Sequence, residues 1–174
     1  VIGVKNFMQA NESIYIVEGS MPNERSAALV DELFGVRYID GKFVEFLDIN
    51  NVVSKTKINS EFLANEQNVT DEIISVLSRQ IEDVVAKAKI KLDESYKKYK
   101  EMTDPLIDAE IDKLAELEEK HRDYQLSLFA DERRKSEAER RVDELFDNFT
   151  KWVKETLDIR KDPYIRIISV LVGV

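Results

Sequence analysis

Several charged side chains lie at spacings that could support metal binding or catalysis. Asp108 and Asp112 are one helical turn apart with Glu110 between them, and carboxylates on one helix face can hold a divalent cation. His121 is the only histidine and the chain has no cysteine, whereas zinc sites and nucleophilic triads need such residues clustered with partners. We therefore predict that His121 packs in a helix seam and that the acidic residues form a solvated face.

The sequence contains no loop that would bind a nucleotide phosphate. Its five glycines, at positions 3, 19, 35, 41 and 173, are scattered, and no G-x-x-x-x-G-K-[ST] motif is present. Paired carboxylates for glycoside chemistry would also need a cleft. We expect no catalytic, cofactor-binding or metal-binding residue, and the chain is not expected to be an enzyme.

Two basic stretches are candidates for contact with nucleic acid or a protein partner. Residues 87–100, KAKIKLDESYKKYK, contain six lysines together with Tyr96 and Tyr99, and lysines beside aromatic rings are typical of single-strand-binding surfaces. Residues 130–141, ADERRKSEAERR, form the second stretch. The candidate contact residues are Lys87, Lys89, Lys91, Lys97, Lys98, Lys100, Arg133, Arg134, Lys135, Arg140 and Arg141.

Neighbouring acidic residues weaken the case for nucleic-acid binding. The net charge is −9, which repels phosphate backbones. Residues 104–119 hold seven acidic residues against Lys113, and they would lie beside the lysine stretch if the chain turned near Thr103. The acidic residues of the second stretch leave it a net charge of only +1. The lysine stretch is therefore expected to be neutralised by the acidic segment beside it, and a solvated or partner-facing helix is the favoured interpretation of the second stretch.

Composition indicates a helix-rich protein without a membrane span. Charged residues make up 35% of the 174 residues, with only 5 Gly and 3 Pro, which favours long surface helices. The hydrophobic share of 43% is too high for a wholly disordered chain. The final apolar run, Ile165–Gly173, is too short to cross a bilayer. The absence of cysteine fits a reducing compartment, so we expect a cytoplasmic protein.

The first third of the chain reads as short mixed elements. Residues 13–19 alternate as a strand does. Pro22 and Asn23 are predicted to open a short helix that ends at Gly35. Its inward residues would be Ala27, Leu29, Val30, Leu33 and Phe34. Asp40-Gly41, inside VRYIDGKFVEF, predicts a β-hairpin, because a type I′ turn needs positive φ twice.

From about Thr70 the apolar residues follow helical spacing. The first stripe is Ile73, Leu77, Ile81, Val84, Ala88, Leu92, Tyr96, Tyr99 and Met102. Asp104-Pro105 predicts a turn into a second, antiparallel helix. Its stripe is Ile107, Ile111, Leu114, Leu117, His121, Tyr124 and Leu128. A break is expected near Phe129–Asp131, followed by a strongly apolar face formed by Val142, Leu145, Phe146, Phe149, Trp152, Val153 and Leu157. Trp152 is predicted to lie in the core.

Together these elements predict an α+β fold. A small N-terminal α/β base, residues 1–58 plus 140–174, would be completed by the C-terminal strand. Residues 70–139 would form a long antiparallel helical hairpin arm, similar to a coiled coil.

The segment SEAERRVDELFDNFTKWVKETLDIRKDPYIRIISVLVGV, Ser136 to Val174, resembles the C-terminal end of bacterial Swi/Snf-type helicase-like ATPases, which are related to DEAD/DEAH-box proteins. The run from Asp162 to Val172, Asp-Pro-Tyr-Ile-Arg with its apolar tail, carries most of the resemblance. The layout is also similar to the C-terminal region of the RNA-polymerase-associated member of that family. The specific match covers under a quarter of the chain.

The resemblance implies a role without catalysis, because the Walker A lysine, the D-E-x-H box and the arginine-bearing motif of such motors are absent. It implies an excised piece of a larger protein, an expectation with which Val1 and the apolar ends agree. The implied function is a C-terminal accessory domain that contacts the motor lobes or another protein. The alternatives are a freestanding coiled-coil module that forms homodimers through its arm, and a nucleic-acid-binding module that uses the basic stretches.

Overall fold

The computed structural model describes residues 1–5, 7–58, 69–128 and 130–174, which form an α+β fold. The elements are β1 (Ile2–Val4), β2 (Glu12–Pro22), β3 (Ala28–Ile39), β4 (Lys42–Asp48), α1 (Ile49–Thr56), α2 (Asp71–Ser127), α3 (Glu132–Leu157) and β5 (Tyr164–Gly173). The strands form one mixed sheet in the order β1-β5-β2-β3-β4. The predicted fold class is confirmed.

The chain divides into two compact units. The sheet unit comprises residues 1–21, 30–95 and 162–174. The hairpin unit comprises residues 22–29 and 96–161. Helix α2 therefore contributes residues to both units.

The C-terminal strand β5 lies inside the sheet, between β1 and β2. It runs parallel to β1 and antiparallel to β2, and Leu171 is the partner of both Ile2 and Ile14. Leu171, Ile14, Val4 and Val52 form a buried apolar cluster. The prediction that the last strand pairs with an N-terminal strand is confirmed.

Helices cover both faces of the sheet, and two glycines let them approach closely. A β-carbon at Gly35 would lie 2.6 Å from a methyl group of Val52 in α1. A β-carbon at Gly19 would lie 2.6 Å from a methyl group of Leu92 in α2. Both distances are far below van der Waals contact, so a larger residue at either position would push a helix away from the sheet.

The β3–β4 hairpin forms where it was predicted. Ile39 pairs with Lys42, and the two residues between them have positive φ, 50° for Asp40 and 72° for Gly41. These are the angles of a type I′ turn, which matches the twist of the strands.

The helix predicted between Pro22 and Gly35 is wrong, because Ala28–Ile39 forms strand β3. Asn23 instead holds a turn, since its side-chain carbonyl accepts hydrogen bonds from the backbone N–H groups of Arg25 and Ala27 at 2.9 Å. Pairing in the sheet overrides the local helical spacing. Gly35 is therefore a site of close approach to α1 and does not cap a helix.

The predicted turn at Asp104-Pro105 is also wrong, because α2 continues through Pro105. Lys100 and Asp104 form an ion pair of 2.7 Å with the (i, i+4) spacing of an unbroken helix. On either side of the proline, Tyr99 bonds to α3 and Ile107 is buried, and this packing offsets the lost backbone hydrogen bond. The lysine stretch and the acidic stretch therefore follow each other along one helix and do not lie side by side.

The antiparallel hairpin exists, but its first helix ends at Ser127, not at Asp104-Pro105, and its second begins at Glu132. This confirms the predicted break near Phe129–Asp131, although Phe129 itself lies outside the described residues. Asp131 caps α3 by accepting a hydrogen bond from the Arg133 N–H at 2.8 Å. Contacts between the helices include the Tyr99 hydroxyl donating to the Leu157 carbonyl, 2.9 Å, and the Arg122–Asp143 ion pair, 2.6 Å.

Replacing Pro105 by Ala should stabilise the hairpin unit by about 1–3 kcal/mol, because proline in a helix interior costs about 3 kcal/mol relative to alanine. Urea unfolding followed by circular dichroism at 222 nm would measure the change. The exposed neighbour Leu106→Ala is the control and should shift the free energy of unfolding little. A neutral Pro105→Ala result would instead indicate a helix start at this position, where proline is well tolerated.

Candidate interaction surface

The two helices of the hairpin unit meet along a narrow buried seam. Ile107 of α2 and Val142, Phe146 and Val153 of α3 are buried. The His121 ring lies 6.2 Å from the Phe146 ring. His121 therefore has the packing contact expected of a seam residue.

Large apolar residues remain exposed beside this seam. In α2 the exposed residues are Leu117 at 54% and Tyr124 at 62%. Each immediately precedes a half-buried residue, Glu118 or Gln125. In α3 the exposed residues are Leu145 at 43%, Phe149 at 47% and Trp152 at 52%. Each of these immediately precedes a buried or half-buried residue of α3.

These five residues lie on one side of the hairpin. Each helix position is rotated by about 100° from the next. Seen along one axis, the two helices of an antiparallel pair turn in opposite senses, and their seam faces point in opposite directions. These two reversals cancel, so the residue before each seam residue lies on the same side of the pair in both helices. We call the resulting surface, Leu117, Tyr124, Leu145, Phe149 and Trp152, the apolar strip.

The prediction that Trp152 belongs to the core is wrong. A contact between two helices buries only a stripe of each one, and the apolar face of α3 is wider than that stripe. Val142, Phe146 and Val153 fill the seam, whereas Trp152 lies at its edge. Helical spacing alone does not separate these two neighbouring residues.

A cavity of about 430 Å³ opens on the same side of the hairpin. Helix α2 contributes His121 and Gln125 to its wall. Helix α3 contributes Arg134, Glu137, Ala138, Arg141, Val142 and Leu145. Leu145 belongs to both the cavity wall and the apolar strip, so the two features are continuous.

The basic residues of the second candidate stretch divide into two groups. Three of them pair with acidic residues of their own helix: Arg133 with Glu137 at 3.9 Å, Lys135 with Glu132 at 3.1 Å, and Arg140 with Glu144 at 3.6 Å. The side chains of Arg134 and Arg141 form no ion pair or hydrogen bond with any residue that the structure describes. These two are the basic residues of the stretch that line the cavity.

The lysines of the first candidate stretch belong to different units. Lys87, Lys89 and Lys91 are in the sheet unit. The Lys87 ammonium lies 5.1 Å from the centroid of the Phe43 ring, and Lys91 lies 3.8 Å from a carboxylate oxygen of Glu32. Lys89 lines a small surface cavity.

Lys97, Lys98 and Lys100 are in the hairpin unit. Lys97 and Lys98 are exposed. Hydrogen bonds to Asp104 and Asp158 raise the pKa of Lys100 above its usual range. Tyr99 is half-buried and already donates its hydroxyl to the Leu157 carbonyl, which reduces its value as a stacking platform.

The acidic residues Asp108, Glu110 and Asp112 are exposed, and Glu110 pairs with Lys113 at 3.2 Å. Within the described ranges, no group of three or more His, Cys, Asp or Glu residues could hold a metal ion. None of the helices in those ranges is both long enough and apolar enough to span a membrane.

Comparison with protein-family models, curated proteins and solved structures found no match to this chain.

Proposed function

We propose that the chain is a non-catalytic accessory domain of a helicase-like ATPase and that it binds a protein partner, such as the motor lobes, through the apolar strip. The observation that carries this proposal is the alignment of five exposed large apolar residues on one side of the hairpin. Exposed apolar patches of this kind are typical of protein interfaces.

The composition of the strip supports a protein partner. Tryptophan and tyrosine contribute most strongly to binding energy at interfaces, and Trp152 and Tyr124 are both more than half exposed. A nucleic-acid surface would instead carry a row of cations, whereas three of the five cations in residues 130–141 are paired with acidic residues. The net charge of −9 also opposes phosphate binding.

The proposal of a helicase-like parent protein rests on the resemblance of Ser136–Val174. That segment contains Leu145, Phe149 and Trp152 of the strip as well as strand β5. In this proposal, the segment that completes the sheet also carries three residues of the strip to the motor. A cytoplasmic location follows from the same proposal.

Site-specific cross-linking would test this function. With p-benzoylphenylalanine in place of Trp152, irradiation of living cells should link the domain to peptides of an ATPase motor lobe, in the same polypeptide or in a separate one. The control position is Lys151, whose side chain is 73% exposed and which lies about 100° around α3 from Trp152, facing away from the seam. It should give no such product.

The products of the Trp152 position would also separate the alternatives. Cross-links only to a second copy of the chain would indicate the dimerisation module. Cross-links only to nucleic acid would indicate the nucleic-acid-binding module. If no cross-linked product formed at Trp152, the proposed interaction would be wrong.

A further inference from the structure

We propose that the cavity beside the apolar strip is a carboxylate-binding site, and that it docks an amphipathic helix of the protein partner through one acidic residue of that helix. The inference rests on the proposed function and adds the chemistry by which the partner would be recognised. It is carried by Arg134, Arg141 and the cavity that both of them line.

The positions of the two arginines favour a shared ligand. They are seven residues apart on α3, which places their backbones about 10 Å apart along one face of the helix. Ala138 lies between them on the same face, and its small side chain leaves room for a group that bonds to both guanidiniums. Arginine binds carboxylates well because its planar fork offers several N–H donors.

Both helices supply polar side chains to the rest of the cavity wall. His121 and Gln125 of α2 line the cavity across from the arginines and provide hydrogen-bonding atoms. Glu137 also lines it, and its carboxylate lies 3.9 Å from Arg133. The wall therefore carries two arginines, Arg134 and Arg141, that pair with no acidic residue in the described part of the chain. Its one acidic residue, Glu137, already pairs with Arg133.

The balance of charge favours one carboxylate over a run of phosphates. A nucleic-acid backbone would bring many negative charges to a chain with a net charge of −9, whereas a glutamate or aspartate brings one. Glu137 would repel further anions along the same wall.

Continuity with the apolar strip defines the rest of the occupant. Leu145 follows Arg141 by one helical turn and lines the cavity, and Phe149 follows after another turn. A partner helix that places an acidic residue against the arginines would bring its next residues, one turn of about 5.4 Å away, onto Leu145 and Phe149. The expected ligand therefore has an acidic residue three or four positions from a large apolar residue.

A helical-peptide phage display selection on the purified full chain would test this inference. The selected peptides should share a Glu or Asp three or four residues from a Leu, Phe or Trp. Their affinity should fall at least about 10-fold for the double variant Arg134→Gln/Arg141→Gln, because both charged contacts are lost. The double variant Arg133→Gln/Arg140→Gln loses the same charge from neighbouring, ion-paired positions and should bind as the unmodified chain does.

Three results would overturn the inference. The first is a selection that enriches no acidic peptide, and the second is equal binding to the two double variants. The third concerns a probe of twenty linked thymidines. If this oligonucleotide bound with steep salt dependence and lost that binding in Arg134→Gln/Arg141→Gln, the cavity would be a phosphate site.

A further variant separates this inference from the proposed function. If the selected peptides lost affinity for Phe149→Ala but not for Arg134→Gln/Arg141→Gln, the strip would still bind protein and only the carboxylate site would be wrong. If both variants bound the peptides normally, the strip would not be the binding surface, and the proposed function would fail as well.

Discussion

Replacing Leu171 by Ala should lower the free energy of unfolding of the sheet unit by about 2–5 kcal/mol, the usual range for a buried leucine. Leu171 is 0% exposed and pairs with residues of two neighbouring strands, Ile2 of β1 and Ile14 of β2. Removing its side chain would leave a cavity at the point where three strands meet α1. Urea denaturation followed by circular dichroism would measure the loss of unfolding free energy.

The exposed neighbour Ile168 provides a matched control on the same strand. It is 50% exposed, so Ile168→Ala removes apolar atoms without opening a cavity and should cost less than about 1 kcal/mol. Equal effects of the two substitutions would mean that β5 does not occupy a central position in the sheet.

Replacing Arg37 by Met should destabilise the sheet unit by about 2–3 kcal/mol, because the buried carboxylate of Glu12 would lose its nearest cation and keep only the more distant Lys55. Glu12 is only 2% exposed, and its carboxylate oxygen lies 2.7 Å from Arg37 Nε and 3.3 Å from Lys55 Nζ. Methionine would keep much of the volume of arginine but supply no positive charge. Urea titration at pH 7 would measure the loss.

The double variant Glu12→Gln/Arg37→Met distinguishes a lost charge from lost packing. A neutral amide at position 12 no longer needs a cation, so the double variant should regain part of the stability that Arg37→Met loses. If the double variant were as unstable as the sum of the single ones, the ion pair would not be the cause.

Glu12 should also make stability depend on pH. Burial opposes ionisation of its carboxylate, but hydrogen bonds from Arg37 and the Gln9 N–H, together with the charges of Arg37 and Lys55, outweigh burial and hold the pKa of Glu12 below its ordinary value of 4.5. The stability that this group contributes is therefore fully present above pH 4.5 and is lost as the pH falls through the lower folded-state pKa. In Glu12→Gln, unfolding measured from pH 7 downward should show a shallower loss over this acidic range.

The β3–β4 hairpin was predicted correctly because it depends on strong local chemistry. The Asp40-Gly41 turn follows from the positive φ angles that a tight hairpin requires, and few residues accept them. The predictions at residues 23–35 and at Pro105 failed because longer-range packing overrode local preference. Sheet pairing made Ala28–Ile39 a strand, and packing against α3 kept α2 helical through a proline.

The candidate surface was harder to predict than the fold. Helical periodicity identified the apolar residues of α3 but did not distinguish Val153, in the seam, from Trp152, one position earlier and exposed. Which of the two residues is buried depends on the width of the stripe of α3 that α2 covers. The sequence does not distinguish Arg133 from its neighbour Arg134. In the structure, Arg133 pairs with Glu137, whereas Arg134 lines the cavity.

The position of β5 has a consequence for folding during synthesis. Synthesis of β5 begins about 140 residues after β2 ends, a delay of roughly 7–28 s at about 5–20 residues per second. During that interval one edge of β2 has unpaired backbone N–H and C=O groups, which can join strands of other chains. Pairing across so long a separation also closes slowly. The nascent sheet is therefore open to pairing with strands of other chains until β5 has been synthesised.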